Sequence, residues 1–575
     1  MIKLVKRVSV VSAIMAVLFM VVQVLSELYL PNLTANMINN GVATGDIPYI
    51  WRTGIFMLGF SLISILAAVG NTYFATKESQ QLGRKLRTEV YQKVEHASTK
   101  MFDKYGTASL INRTTNDINQ VALVTQMFLR MMINAPITLI GASILAYQKD
   151  AQLTKIFLVV VPIMIVLIGV IMYFSVPLFK SMQEKTDRLN LIFRENLTGV
   201  RVIRAFNKTA YEEKRFDDAS MDYTNTAIKV NTIVSSMMPM MTLIMSGTNI
   251  AITWFGAQYI ADMQLEVGNL IAFMTYAMQI LFSFMMLAMI FVMVPRAQAS
   301  AKRINEILEE EVDVLDPVEP QVVTRQGAEA TLSFNQVDYR YDGAEKRTLE
   351  DVSFEATSGQ MVAIIGGTGS GKTTLVNLIP RLYDIESGEI KLNGKNITQL
   401  TQKNVRELIG FVPQKAVLFS GTIRQNMQYG NQHATDEEIW QALRTAQAEE
   451  FVASLPDGLD SRVEQGGGNF SGGQKQRLAI ARALVKPADV FIFDDSFSAL
   501  DFKTDANLRK ALKEDVTQGI LVIVAQRVST VIDADVILVL DEGKVVGQGT
   551  HTELLATNET YREIVASQLR EEDLQ

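Results

Sequence analysis

Three short stretches of this 575-residue chain carry side chains whose types and spacing suit phosphate chemistry. In "MVAIIGGTGSGKTTL" an apolar run, Met361 to Ile365, leads straight into Gly366, Gly367, Thr368, Gly369, Ser370, Gly371, Lys372, Thr373 and Thr374. Gly366 to Thr373 fit G-x-x-x-x-G-K-[ST], where the glycines let backbone N–H groups wrap around phosphates and a helix start adds its positive end. Lys372 would reach the β- and γ-phosphates of a nucleoside triphosphate, and Thr373 would offer its hydroxyl to Mg²⁺. In "FIFDDSFSALD" a second buried strand delivers Asp494, placed to hold the magnesium through its water shell, with Asp495 directly after it. In "NFSGGQKQRLAIARALV" Ser471, Gly472, Gly473 and Gln474 open an amphipathic helix, a second helix start of phosphate-binding type.

Other residues complete the set. Gln414 in "IGFVPQ" offers an amide whose reach suits the metal or an attacking water, and Tyr341 in "VDYRYDG" could stack on a base. Two phosphate-binding helix starts about 100 residues apart cannot easily serve one nucleotide within one compact domain. Two chains facing each other solve this, the serine–glycine turn of one closing over the phosphate loop of the other.

The elements that must position these residues divide the chain. Hydrophobic residues make up 48% and charged residues 20%, too apolar for a wholly soluble protein and too charged for a wholly embedded one. Residues 1–298 are expected to form a transmembrane domain, 299–330 an acidic, proline-bearing surface linker, and 331–575 an α/β nucleotide-binding domain. The net charge of −7 argues against nucleic acid as a partner. The absence of cysteine excludes disulfides and thiolate metal sites, and three histidines leave little room for a histidine-built centre.

Six stretches are long enough to cross about 30 Å of hydrocarbon: 8–31, 51–76, 127–147, 153–179, 232–260 and 267–295. The first follows Lys3, Lys6 and Arg7, but it is too long for a signal peptide and lacks a small-residue cleavage site. Segments 77–126 and 180–229 hold eight and ten Lys or Arg, while 32–51 and 261–266 hold none and 148–152 only Lys149. The basic side is the inner one, so both termini and the nucleotide-binding domain are expected in the cytoplasm of a multi-pass cell-membrane protein. Leu82, Leu86, Val90 and Val94 recur every four residues, so the long inner loops should be helical extensions of the spans.

Within the spans, Glu27, Asn71, Asn134, Asn249 and Gln279 are the polar exceptions. Each either ties helices together or lines a cavity that meets cargo, and for Glu27 a further reading is an outer-end position reached by water. Twelve methionines lie between Met237 and Met293, mixed with Phe273, Tyr276, Phe282, Phe284 and Phe291. Such soft side chains either pack helices or repack around apolar ligands of different shape.

Taken together, "GGTGSGKT", "VPQ", "SGGQ", the aspartate after "VFIF" and the "SALD" turn resemble the ATP-binding cassette, and the six-span half ahead of it resembles the multidrug exporters of that superfamily. The resemblance covers essentially the whole chain. It implies ATP and Mg²⁺ as cofactors, with Thr373, Gln414 and Asp494 around the metal. It also implies a half-transporter of bacterial type in a lipid bilayer, exporting hydrophobic or amphipathic small molecules. The partner would be a second half-transporter, contacted through Ser498, Ala499, Leu500 and Asp501, with Ser471 to Gln474 closing the partner's ATP site. Coupling elements are implied near Gly106 to Arg113 and Ala205 to Lys214.

Two departures stand out against the family pattern. Where such exporters have a glutamate that aims the attacking water, this chain has Asp495, and where they have a histidine near the γ-phosphate, "VIVAQRVST" has Gln526. Phe470 also replaces a leucine before the intact serine–glycine turn. The expectation is a heterodimer in which this chain binds ATP but hydrolyses it poorly, while lending its signature turn to a competent partner. The alternatives are a homodimer running slowly on two Asp-based sites, a lipid or peptide exporter and, from another class, an ATP-binding sensor subunit; an importer is disfavoured because importers usually keep membrane and cassette parts on separate chains.

Overall fold

The computed structural model describes residues 7–311, 313–326 and 329–568, and of 288–292 the backbone alone. Lys3, Lys6 and the side chain of Phe291 lie outside the described residues. The chain divides into two compact units, Met1–Glu95 with Tyr105–Glu310, and His96–Lys104 with Glu311–Gln575.

The first unit contains six helices long and apolar enough to cross a membrane, in the places the apolar stretches predicted. Ile47–Glu95, Phe157–Ala205 and Thr209–Ala261 run for 49, 49 and 53 residues. At 1.5 Å per residue each is more than about 70 Å long, so each continues well past about 30 Å of hydrocarbon. The four-residue recurrence explains one extension: Leu82, Leu86 and Val90 are buried, and beside them Arg87 Nη2 donates to Asn119 Oδ1 at 2.9 Å. Prolines 162, 177 and 239 sit inside these helices without ending them, a tolerance usual where neighbouring helices re-satisfy the freed carbonyls.

At the far end of this unit a polar knot ties Val267–Glu309 to the π-helical turn Arg113–Asp117. Asp117 is buried and accepts from Ser300 Oγ at 2.8 Å and Arg303 Nε at 2.7 Å, while Arg113 Nη1 donates to Glu306 at 2.9 Å. Removing the carboxylate leaves a guanidinium and a hydroxyl without their acceptor. Asp117→Ala should therefore cost about 2–3 kcal/mol, read as a lower unfolding temperature in nanodiscs, with Asp117→Asn losing clearly less.

In the second unit a six-stranded sheet runs Lys544–Gly549, Val536–Asp541, Met361–Gly366, Ile520–Val524, Val490–Asp494, Ile409–Val412. All pairings are parallel except the edge pair Val536–Asp541 with Lys544–Gly549. Residues of Met361–Gly366 alternate between two cores, Met361, Ala363 and Ile365 in one, Val362 and Ile364 in the other. Both faces of the sheet are thus covered, which is why its strands read as unbroken apolar runs. A four-stranded antiparallel sheet holds Leu349–Thr357, Thr331–Tyr339, Ser387–Leu392 and Lys395–Asn396.

Two stretches differ from their sequence reading. Residues 299–330, expected as a surface linker, begin as the end of the helix Val267–Glu309 and continue as a strap on the cassette. Gln402 Nε2 donates to Val314 O at 3.0 Å, Arg381 Nη2 to Leu315 O at 2.9 Å, and Asn404 brackets the Val323 backbone from both sides. Acidic composition suggested solvation, but side chains far along the sequence satisfy its backbone. The part of the first basic loop that gathers with the soluble unit is His96–Lys104, upstream of the expected Gly106–Arg113. There the helix Thr99–Tyr105 carries Lys100, which bridges Asp342 at 2.9 Å and Asp313 at 3.3 Å. Gly106, at φ +70°, makes the turn after it. In the second basic loop the helices break between Ala205 and Thr209, where Asn207 has φ +49°.

Candidate functional site

Parallel strands gather functional groups at their carboxyl ends, where ligands of open α/β sheets bind. Here Gly366, Asp494, Gln414 and Gln526 all end or follow such strands. Gly366 packs so closely on the neighbouring strand that an added Cβ would collide with the Leu540 carbonyl. Gly371, at φ +100°, caps the helix Lys372–Leu378, a backbone conformation that only glycine adopts freely. Lys372 Nζ donates to the Gly366 and Gly367 carbonyls at 2.9 and 2.6 Å and lies 3.4 Å from Ser370 Oγ. Burial pushes the Lys372 ammonium down from its ordinary value, against the opposing pull of Asp495 and Asp494.

Thr373 Oγ1 donates to Asp494 Oδ1 at 3.1 Å. Burial pushes the Asp494 carboxyl above the usual carboxylate range, and the Thr373 hydroxyl opposes that shift. Among the described residues no group of three or more His, Cys, Asp or Glu gathers to hold a metal. The hydroxyl of Thr373, a carboxylate oxygen of Asp494 and the amide oxygen of Gln414 are hard oxygen donors. They fit Mg²⁺, which is usually held by one or two protein groups together with substrate phosphates and water.

Asp495 directly follows the strand that delivers Asp494. It is buried, its backbone stands at φ +47°, a region aspartate visits more readily than most residues, and its N–H donates to Val524 O at 3.1 Å. One oxygen, Oδ2, accepts from Gln414 Nε2 at 3.1 Å and from Gln526 Nε2 at 2.8 Å. The two glutamines and the short acid therefore form one closed cluster. Two residues outside the sequence reading hold it. Ser496, fully buried, reaches Val412 O at 3.3 Å, and Gln568 donates to the Gln526 carbonyl at 2.8 Å while accepting from Val528 N at 2.8 Å. Only the chain fold brings residues 412, 496, 526 and 568 together, so no spacing in the sequence signalled them.

Tyr341 also has company the sequence did not announce. Its hydroxyl pairs with Thr374 Oγ1 at 3.1 Å, and its ring meets those of Tyr339 and Tyr383 edge-on at 5.0 and 5.6 Å. The serine–glycine turn is separate: among the described residues no hydrogen bond links 471–474 to 366–374. Ser471 caps the helix Gly472–Leu484 in a reciprocal box with Gln474, and Gly473 lies against Ala499 and Leu500. Phe470 is buried and packs on Phe451, 6.4 Å away, so the expected leucine position is filled by a ring of the same apolar role. Ser498 Oγ donates to Asp495 O at 3.0 Å and Asp501 caps the helix Phe502–Asp515. The phosphate loop and Asp495 are thus gathered in one place, while the signature residues stay outside it.

The first unit holds a cavity of about 490 Å³. Glu27, Asn71, Asn134 and Gln279 line it, with Met245, Met278, Phe282 and Met286. Asn71 also staples helices, donating to Ala16 O at 2.8 Å and Leu129 O at 3.4 Å. Asn249 lies elsewhere, in an apolar groove with Trp254. The methionines divide likewise, Met241 being buried in helix packing with Met237 and Met285 against it.

Comparison with known proteins places residues 13–315 in a family described as the ABC transporter transmembrane region, and residues 349–498 in the family described as ABC transporter. An uncharacterized ABC transporter ATP-binding protein of Mycobacterium tuberculosis is 39% identical over 96% of this chain and 95% of its own length. A multidrug resistance ABC transporter ATP-binding and permease protein of Lactococcus lactis is 30% identical over 97% and 93%. Among solved structures, a bacterial Atm1-family ABC exporter with ATP bound covers 99% of both chains with a TM-score of 0.79 at 25% identity.

Proposed function

Since this chain belongs to the ABC transporters and joins an exporter-type transmembrane region to its ATP-binding domain, we propose that it is one half of a heterodimeric exporter of hydrophobic or amphipathic compounds. Its own ATP site binds Mg²⁺–ATP through Gly366–Thr374, Tyr341, Asp494 and Gln414, and hydrolyses it poorly. Ser471–Gln474 close the partner's site, and Ser498–Asp501 line the contact between halves. Both termini and the cassette face the cytoplasm of a cell membrane, in keeping with the basic loops.

The observation that carries this reading is the closed cluster of Asp495, Gln414 and Gln526. A water-aiming base must come within about 2.6–3.2 Å of its proton. Here the acid is a methylene shorter than glutamate and its Oδ2 already serves two amides. The multidrug name of the Lactococcus relative and the methionine-lined cavity support the cargo class.

The test is to purify the chain without a second half-transporter and measure ATP retention and turnover side by side. ATP should be held while turnover stays at least about a hundredfold below that of a glutamate-based site. Co-expression with a half-transporter encoded beside it should yield a complex with cargo-stimulated hydrolysis. Brisk magnesium-dependent turnover by the lone chain, lost in Asp495→Asn, would remove the basis for an asymmetric pair.

A further inference from the structure

The cavity in the membrane-spanning unit has an unusual charge pattern. Glu27 and Arg130 are the two ionisable residues of its lining, and among the described residues they form no ion pair with each other or with any other side chain. Glu27 Oε1 accepts only neutral donors, Gln23 Nε2 at 3.0 Å and Ser64 Oγ at 3.1 Å. Arg130 sits on the π-helical turn Phe128–Met132, a local widening of the helix that interrupts its regular spacing of side chains. Ionisable groups in spanning segments are costly and normally pair with one another or mark the path of a ligand. Here neither has been given an opposite charge.

Their places along the bundle set the ligand. Glu27 meets Ser64, whereas the carbonyl just before Arg130, that of Leu129, meets Asn71. Ser64 and Asn71 lie on the same helix, seven residues apart, which is about 10 Å at 1.5 Å per residue. A single small ion cannot satisfy both ends. A molecule carrying a cation and an anion several bonds apart can, and its apolar part finds Met131, Met278, Phe282 and Met286 on the same wall. Thioethers adapt to varied apolar shapes, so the charges, not the tail, would set selectivity.

We propose that this cavity is a binding site for zwitterionic amphipaths, the anionic group on Arg130 and the cationic group on Glu27. The proposal rests on the exporter reading only in treating such a molecule as cargo. A charge-assisted contact is worth about 1.5–3 kcal/mol, or about ten- to a hundredfold in affinity.

The experiment uses the full chain in nanodiscs and three radiolabelled probes with the same dodecyl tail, below their micellar concentrations: a propyl-spaced sulfobetaine, dodecyltrimethylammonium and dodecyl sulfate. The sulfobetaine should bind at least about tenfold more tightly than either singly charged probe. Glu27→Gln and Arg130→Gln should each remove that advantage, and Glu27→Asp should keep most of it, with ATP affinity unchanged in all three as a check on folding. Equal binding of the three probes, or a sulfobetaine affinity indifferent to either charge, overturns the proposal. ATP-driven uptake into inverted vesicles, with the partner half co-expressed, separates the two readings. Charge-dependent binding without ATP-driven uptake leaves the site standing and defeats the exporter cargo. Uptake of the sulfobetaine at equal rates in wild type and both charge-neutralised variants defeats the site and leaves the exporter standing.

Discussion

Converting Asp495 and Gln526 together, in Asp495→Glu/Gln526→His, should raise the ATP turnover of the purified chain about a hundredfold, while either change alone gives less than about tenfold. The lone chain is suited to this test because two copies of the variant would each supply an intact Ser471–Gln474 turn. The glutamate restores the roughly 1.5 Å of reach that one carbon–carbon bond provides. It does not by itself free the carboxylate, because Gln526 Nε2 would still donate to it, as it does to Asp495 at 2.8 Å. The histidine removes that amide and supplies a ring that can gain and lose a proton near neutral pH, which glutamine cannot. Residues in direct contact are not expected to behave additively, so the double variant should exceed the product of the single effects. Steady-state phosphate release in nanodiscs reads all three variants. If Asp495→Glu alone matched the pair, Gln526 would have no part in the restraint. If the pair stayed at the wild-type rate, the restraint would have to lie in the assembly between copies and not in this cluster.

Much of this architecture was legible because the signals are local. A span declares itself by some twenty apolar residues, and a phosphate loop by a strand, glycines, Lys372 and a helix start in unbroken succession. The parallel strands were equally plain, since Val490–Asp494 and Ile520–Val524 are buried throughout and read as apolar runs. What escaped depends on contacts between distant residues. The strap after Glu309 looked like free linker because its partners, Arg381, Gln402 and Asn404, are found only in three dimensions. The coupling element implied near Gly106 to Arg113 lies just past the segment that gathers with the soluble unit, His96–Lys104, whose helix Thr99–Tyr105 ends before the turn at Gly106. Composition could single out Glu27, Asn71 and Asn134 as exceptions in apolar spans. It could not say that Asn71 is a staple or that Arg130, inside the span 127–147 but not among the exceptions singled out there, shares a cavity with Glu27.

The phosphate loop's lysine should show the opposite balance between binding and chemistry. Lys372→Ala is expected to weaken ATP binding about ten- to a hundredfold, the worth of one charge-assisted contact to phosphate, and to lower the residual hydrolysis at saturating ATP by a smaller factor. The structure explains why binding is the sensitive quantity. Lys372 Nζ is held over the loop by the Gly366 and Gly367 carbonyls, in the path the phosphates must take, and burial has already weakened its hold on its proton. An anionic triphosphate would reverse that penalty, so much of the affinity comes from relieving a desolvated charge. Turnover has less to lose, because water is poorly aimed by Asp495 whether or not the lysine is present. Lys372→Arg should recover only part of the affinity, since a planar fork does not fit a cradle shaped for a compact ammonium. Equilibrium binding of a fluorescent ATP analogue, set beside phosphate release from the same preparations, measures both quantities. Equal losses in affinity and in saturated rate would mean that Lys372 acts on a transition state this site does reach, and the poor-hydrolysis reading of Asp495 would have to be given up.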